Sequence, residues 1–162
     1  LLWRVHRVHH ADRQLDASTA IRNHPLEQLV VLAPISLGIL VLGLPVWAVV
    51  TVDLATFSVV VATHANLRLP PHWSSRIERL LVTPGFHLVH HSAARAEHDA
   101  NFGEMLTIWD RLFATYRSAD VRRIGLGERA DDEADRLIGQ LWSPFRRDGD
   151  GGDDSSAVPS SS

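Results

Sequence analysis

An apolar segment without charges constrains the fold of this chain most strongly. No charged residue occurs between Leu29 and Val52, and mostly apolar side chains continue to Thr63 apart from Asp53. One helix needs about 20 apolar residues to cross the hydrocarbon core of a membrane. The segment can be one span near residues 29–50, or a hairpin of two spans at about residues 26–42 and 45–63. We therefore expect an all-α, integral-membrane helical bundle.

Two copies of the pattern His-x-x-His-His flank this segment. The copies comprise His6, His9 and His10 on one side, and His87, His90 and His91 on the other. On a helix, positions i, i+3 and i+4 share one face, so each box presents three imidazoles in one direction. Imidazole suits iron, zinc, copper and nickel. Six imidazoles exceed the four ligands of a structural zinc site, which predicts two metal ions.

The hairpin is the favoured division of the apolar segment. A single crossing would place the two His boxes on opposite sides of the membrane, whereas two crossings return the chain to its starting side. Arginine residues lie on both flanks and none lies in the proposed turn at residues 42–45, so the positive-inside rule places both flanks, and both boxes, on the cytosolic face. Asp53 is costly within this hairpin unless it faces protein or water.

The composition excludes several kinds of site. With no Cys in the chain, there can be no disulfide, thiolate-ligated haem or cysteine-held iron–sulfur cluster. A net charge of −3 gives no reason to expect nucleic acid as a partner, because such proteins usually carry a strongly basic face. The Glu-x-x-His pattern of carboxylate-bridged diiron bundles is also absent from the sequence.

Smaller elements are expected around the hairpin. One domain is expected over residues 1–145, with the hairpin at about 26–63 and a disordered polar tail at 146–162. Within it the patterns predict a first His helix over about residues 1–16, a helix with Pro25 in its first turn, a short amphipathic helix at 74–82, a second His helix from Thr83-Pro84-Gly85, and a helix at 131–142.

Five strings in order resemble the fatty acid hydroxylase (sterol desaturase) superfamily. They are LLWRVHRVHH, TAIRNHPLE, THANLRLP, VTPGFHLVHHS and DANFGEMLTIWDRLFATYR, and the resemblance runs from Leu1 to about Arg117. It implies O2-dependent hydroxylation or desaturation of a membrane lipid, such as a sterol or fatty acyl lipid, at a histidine-held centre of two iron ions. Zinc could replace iron in isolated protein.

The resemblance also implies which residues hold the metals. The ligands would be both His boxes and His64 in the string THAN: His6, His9, His10, His64, His87, His90 and His91. His72 is a weaker additional candidate. The family normally has an earlier His-x3-His or His-x4-His box in a preceding transmembrane helix, and this sequence begins after that position, so we expect an N-terminally incomplete site.

Further residues are candidates to orient the imidazoles, because metal-bound His normally donates its second ring nitrogen to a partner. These candidates are Asp12, His24, Glu27, Asn101 and Asp110. Ordinary helix capping is the alternative for Asp110, and a structural role is the alternative for His24. An external electron donor, a ferredoxin or cytochrome b5 type with its reductase, is implied because the chain has no G-x-G-x-x-G fingerprint and no haem site.

Two other functions are compatible with the same residues. One is a membrane zinc hydrolase that uses the same histidines. The other is a non-catalytic fragment or paralogue that retains the fold.

Overall fold

The computed structural model describes residues 2–126 and 136–145. These residues form helices and turns with no β-strand among them, apart from isolated bridges between Leu81 and Leu106 and between Ser92 and Ile124. The all-α prediction is confirmed. The helices are α1 (Leu2–His10), α2 (Pro25–Leu42), α3 (Val46–His64), α4 (Pro71–Ile77), α5 (Pro84–His90), α6 (Arg95–His98), α7 (Ile108–Leu112) and α8 (Leu137–Trp142), with 3-10 turns at Thr19–Ile21 and Ser143–Phe145.

Helices α2 and α3 form the apolar hairpin. Pro25 occupies the first turn of α2, where a missing N–H is not needed. The ring of His24 accepts a hydrogen bond from the Leu26 N–H and caps the same end. Gly43 ends α2 in the left-handed conformation with a φ of 62°, which glycine adopts without steric cost. The hairpin alternative is therefore confirmed over the single span.

Both hairpin helices are long and apolar enough to cross a membrane. No residue of α2 is buried, and the buried residues of α3 are Thr63 and His64 at its end. Asp53 is exposed on α3. Among the described residues the hairpin thus projects away from the buried core, which it meets at its base.

Two short helices differ from their predicted extents. Helix α1 ends at His10 rather than near residue 16, and Asp16 lies in a local turn in which its carboxylate accepts hydrogen bonds from the N–H and hydroxyl of Ser18. Helix α4 spans 71–77 rather than 74–82. Pro71 starts it early, and the Val82 N–H bonds to the Met105 carbonyl instead of continuing a helix.

The helix predicted at 131–142 lies only partly within the described residues. Helix α8 covers residues 137–142, and the remainder of the predicted helix at 131–142 lies largely outside the described residues, as does the predicted tail at 146–162. The 3-10 turn that follows α8 packs against α1. The Arg7 side chain donates a 2.7 Å hydrogen bond to the Ser143 hydroxyl across this contact.

The apolar core lies beside the base of the hairpin. Val5 and Val8 of α1 and Phe86 and Val89 of α5 are buried there. These residues alternate along their helices with the His boxes, so the periodicity that buries the apolar residues also brings the imidazoles of both helices inward. Helix α5 also packs against α3, which brings His64 to the same place.

Candidate metal centre

Seven histidines from three helices converge at the base of the hairpin. Helix α1 contributes the first box, α3 contributes His64 as its last residue, and α5 with its C-terminal flank contributes the second box. Thr83 fixes the start of α5, because its hydroxyl accepts a hydrogen bond from the Phe86 N–H. All of these rings are buried except that of His6, which is half-buried.

The first group contains four buried histidines, His9, His64, His87 and His91, with one ring nitrogen from each lying within 4.8 Å of the others. The Nε2 of His64 lies 3.0 Å from Nε2 of His9 and 3.0 Å from Nε2 of His87. Nε2 of His91 lies 3.1 Å from that of His87. Four nitrogens therefore face one point.

The second group contains His6, His10 and His90, whose ring nitrogens also lie within 4.8 Å of one another. Nε2 of His90 is 3.2 Å from Nε2 of His6 and 3.1 Å from Nε2 of His10. The two groups adjoin, since the rings of His10 and His91 stack at a centroid distance of 4.6 Å. Each His box is divided between the two groups.

The opposite ring nitrogens of four of these histidines are hydrogen-bonded to oxygen. Nδ1 of His9 donates to the Arg22 carbonyl at 3.2 Å, Nδ1 of His64 to the Val60 carbonyl at 2.7 Å, and Nδ1 of His90 to the Ala100 carbonyl at 2.9 Å. Nδ1 of His6 donates to the Glu27 carboxylate at 2.6 Å. These acceptors place a hydrogen on Nδ1, so in the metal-binding form of each ring the lone pair is on Nε2.

This tautomer assignment tests whether the groups fit a metal. His9 and His64 present two Nε2 lone pairs to each other at 3.0 Å, and His6 and His90 do the same at 3.2 Å. Two lone pairs cannot hydrogen-bond to each other, so each pair needs a shared cation. Nitrogens at this separation can both reach one ion at the usual metal–nitrogen distance of about 2.0–2.1 Å. Both groups therefore fit a metal ion.

Burial favours the neutral form of the buried imidazoles on α1 and on α5 with its C-terminal flank. Burial first, and then neighbouring imidazoles, lower the pKa of His9, His10, His87 and His91 well below the usual 6.5. Burial and the nearby His6 lower the pKa of His90 to about 4. Neutral imidazole is the form that binds a metal, so these rings need lose no proton near neutral pH.

Among the predicted orienting residues, Glu27 contacts a His ring. Its carboxylate receives the His6 hydrogen bond described above. The backbone carbonyls of Arg22, Val60 and Ala100 accept the corresponding hydrogen bonds from three other rings. Sequence reasoning missed these carbonyls, because a backbone acceptor leaves no signal in residue type.

Asn101 and Asp110 instead fix the loop that follows α5. The Asn101 side chain donates to the Phe86 and Arg117 carbonyls and accepts from the Arg117 N–H. The Asp110 carboxylate accepts from the N–H groups of Phe102 and Gly103. The loop in turn carries Ala100, whose carbonyl orients His90.

Asp12 and His24 also have structural contacts. Asp12 accepts a 2.7 Å hydrogen bond from the Thr19 hydroxyl and lies 3.8 Å from the Arg22 guanidinium. His24 caps α2 through Nδ1 and donates through Nε2 to the Leu141 carbonyl at 3.3 Å. Both residues shape the segment between α1 and α2.

His72 is placed away from both groups. It is exposed on α4, and its ring lies 5.7 Å from that of Trp73. His98 and Trp3, by contrast, adjoin the second group without having been predicted there. Their rings stack at 4.6 Å, and the Trp3 ring lies 5.0 Å from that of His10. A stacked aromatic pair of this kind has no distinctive sequence pattern.

Comparison with known proteins identifies the family. The family model described as fatty acid hydroxylase matches residues 1–115, a range that contains all seven converging histidines. The chain belongs to the fatty acid hydroxylase family. This membership confirms the resemblance that the five sequence strings carry.

Two curated relatives of this fatty acid hydroxylase family member are similar over most of the chain. The ornithine lipid hydroxylase of Rhizobium tropici is 29% identical over 151 residues, covering 91% of this chain and 44% of the relative. The alkylglycerol monooxygenase of Homo sapiens is 30% identical over 120 residues, covering 73% of this chain and 25% of the relative. The chain therefore spans less than half the length of either. No solved structure matches it significantly.

Proposed function

We propose that this chain forms the metal-binding core of an O2-dependent hydroxylase that acts on the hydrocarbon part of a membrane lipid. Two metal ions, which we propose to be iron, are held separately by the two histidine groups, His9, His64, His87 and His91 in one and His6, His10 and His90 in the other. The observation that carries the proposal is the pair of facing Nε2 lone pairs in each group. When bound, the two irons supply the activation of O2.

The protein's own residues hold and orient the ligands. Hydrogen bonds at Nδ1 prevent four rings from rotating, and burial excludes water from most of the ring nitrogens. The Glu27 carboxylate adds a negative charge beside His6 of the three-histidine group. Such partners raise the basicity of a ligating imidazole and fix its tautomer. His9, His64 and His90 have neutral carbonyl acceptors instead, so the two metals would have different surroundings.

The hairpin supports action at a membrane surface. Its two helices are long and apolar enough to span a bilayer, and the histidines gather at its base. Arginine residues flank both legs, which supports a cytosolic position for the centre. Electrons would come from a ferredoxin or cytochrome b5-type donor with its reductase, since the sequence has no dinucleotide fingerprint.

Metal analysis and turnover test the proposal together. The full reading frame is expressed in membranes, iron and zinc are quantified, and conversion of ornithine lipid and of alkylglycerol is measured with and without O2. The parent should contain about two irons and convert a lipid only with O2. Zinc alone with O2-independent turnover would instead identify a hydrolase.

Three variants connect the metals to the two groups. His9→Ala should remove the metal of the four-histidine group, and His90→Ala that of the three-histidine group. Exposed His72→Ala is the matched control and should keep the metal content of the parent. Full metal retention in His9→Ala or His90→Ala would overturn the assignment.

A further inference from the structure

A groove lies between α3 and the segment that follows α5. Its volume is about 560 Å³, within the roughly 300–1,000 Å³ typical of small-molecule sites. Most of its lining residues are apolar or uncharged. They are Thr56 of α3 and, from the facing segment, Phe102, Gly103, Glu104, Met105, Leu106, Trp109, Asp110, Phe113 and Thr115.

The groove is lined both by the apolar part of α3 and by a residue next to the histidines. Thr56 precedes His64 by eight positions on α3, which is about 12 Å along a helix axis. Phe102, another lining residue, places its ring 5.5 Å from the ring of His90. The lining therefore includes one residue from the apolar part of α3 and one that adjoins the three-histidine group.

The facing segment exposes apolar side chains next to this spanning helix. Trp109 is 53% exposed and Phe113 is 69% exposed, and both line the groove. Ile108 and Leu112, on the same short helix but outside the groove, are exposed as well. An apolar surface of this kind beside a spanning helix is suited to lipid rather than water.

The groove wall at Gly103 is fixed by close contacts and hydrogen bonds within the loop itself. A Cβ atom at Gly103 would lie 2.6 Å from the Leu106 carbonyl oxygen and 2.7 Å from Oδ2 of Asp110. The close approach allows the Asp110 carboxylate to bind the N–H groups of Phe102 and Gly103. The groove is thus a formed feature of the loop.

We infer that this groove binds the hydrocarbon chain of a membrane lipid, entering beside Trp109 and Phe113 and ending at Phe102. The inference deepens the proposed function and rests on it for the identity of the ligand as substrate. Phe102 stands between the end of the chain and the ring of His90, so it sets how far the chain advances. The occupant is a lipid chain because one wall of the groove belongs to α3, a helix long and apolar enough to span a membrane.

Photolabelling tests the groove without turnover. The full reading frame is reconstituted in phosphatidylcholine vesicles that contain phosphatidylcholine with a diazirine on one acyl chain, and labelled residues are mapped by mass spectrometry. Half-buried Met105 and Leu106 should be labelled, in addition to the exposed Ile108 and Leu112. Labelling confined to Ile108 and Leu112 would overturn the inference, because bulk lipid reaches those residues from outside.

A variant of the α3 wall distinguishes the groove from the outer surface. Thr56→Phe narrows the groove at α3 and should lower labelling of Met105 and Leu106 by about tenfold, equivalent to about 1.4 kcal/mol of binding, while the labelling of Ile108 and Leu112 stays unchanged. Thr51→Phe, at an exposed position of the same helix, should leave all labelling unchanged. Equal labelling in Thr56→Phe and Thr51→Phe would overturn the inference.

Two readouts keep this test separate from the proposed function. Metal content, measured in every variant, reports whether the histidine centre is folded. If Thr56→Phe loses its metal, the result is decided by the labelling of Met105 in the parent and in the near-isosteric Thr56→Val. Labelled Met105 in both supports the inference, and unlabelled Met105 in both overturns it. A labelled groove in a protein without O2-dependent turnover would refute the oxygenase and retain the lipid site. O2-dependent turnover with an unlabelled groove would refute the lipid site and retain the oxygenase.

Discussion

Glu27 receives a 2.6 Å hydrogen bond from Nδ1 of His6, joining the first turn of α2 to the first His box across 21 positions. The other three bonded rings donate to backbone carbonyls. The three-histidine group is therefore the one whose ligand has a charged partner, and a side-chain substitution can remove that partner.

Replacing Glu27 tests this partner. Glu27→Ala should weaken metal binding in the three-histidine group by about 10- to 100-fold, because it removes the acceptor that orients His6. Glu27→Gln should recover part of the loss, since its amide oxygen can still accept the bond. Competition with a chelator measures the affinity. Exposed Glu104→Gln is the control, and an unchanged affinity in Glu27→Ala would show that His6 needs no orienting partner.

Asp110 should stabilise the loop through its buried carboxylate. Asp110→Ala leaves the Phe102 and Gly103 N–H groups without their acceptor, and we expect a loss of about 3 kcal/mol in unfolding free energy. Faster hydrogen exchange at these two amides would report the change. Asp99→Ala is the matched control, because its exposed carboxylate lies 3.6 Å from exposed Arg95 and such pairs contribute little. Equal exchange in both variants would contradict the prediction.

Ala114 offers a stabilising substitution. It follows α7 with a φ of 56°, in the left-handed region that is unfavourable for residues with a Cβ. Ala114→Gly should raise the unfolding free energy by about 1 kcal/mol, as expected for glycine after a helix C-terminus. Thermal melting in detergent measures this gain. Ala96→Gly in α6 should instead lower the melting temperature; a fall in Ala114→Gly as well would refute strain at this position.

Removing the metal should destabilise the folded protein. Bound ligand at 100 times its dissociation constant adds about 2.7 kcal/mol to stability, and each group also loses the cation between its facing lone pairs. We expect a chelator to lower the melting temperature of the parent and of His72→Ala alike, and to affect His9→Ala less. A melting temperature insensitive to the chelator in metal-loaded parent would contradict a metal that bridges these rings.

The sequence was most informative where periodicity and chemistry coincide. Spacing on α1 and α5 predicted that each box would present its imidazoles together, and crossing parity predicted the hairpin between them. It could not predict how the boxes divide. His9 and His10 are adjacent in sequence yet enter different groups, because neighbouring helical positions point about 100° apart.

The partners of the rings were harder to predict, for a physical reason. Asp110 and Asn101 have the polar side chains expected around a metal, but the same side chains also bind loop N–H groups, and that is their contact here. The Val60 carbonyl serves His64 because the last turn of α3 places it within 2.7 Å. Such acceptors depend on the backbone and not on residue type.

The contact between His9 and His64 closes a loop of 55 positions that contains the whole apolar hairpin. A cation shared by these two rings would act as a removable cross-link between the two ends of that loop, and its binding free energy would stabilise the folded chain. The two rings can share a cation only when both ends of this loop lie on the same side of the membrane. Metal acquisition at this pair would therefore report that the two ends of the hairpin have come together.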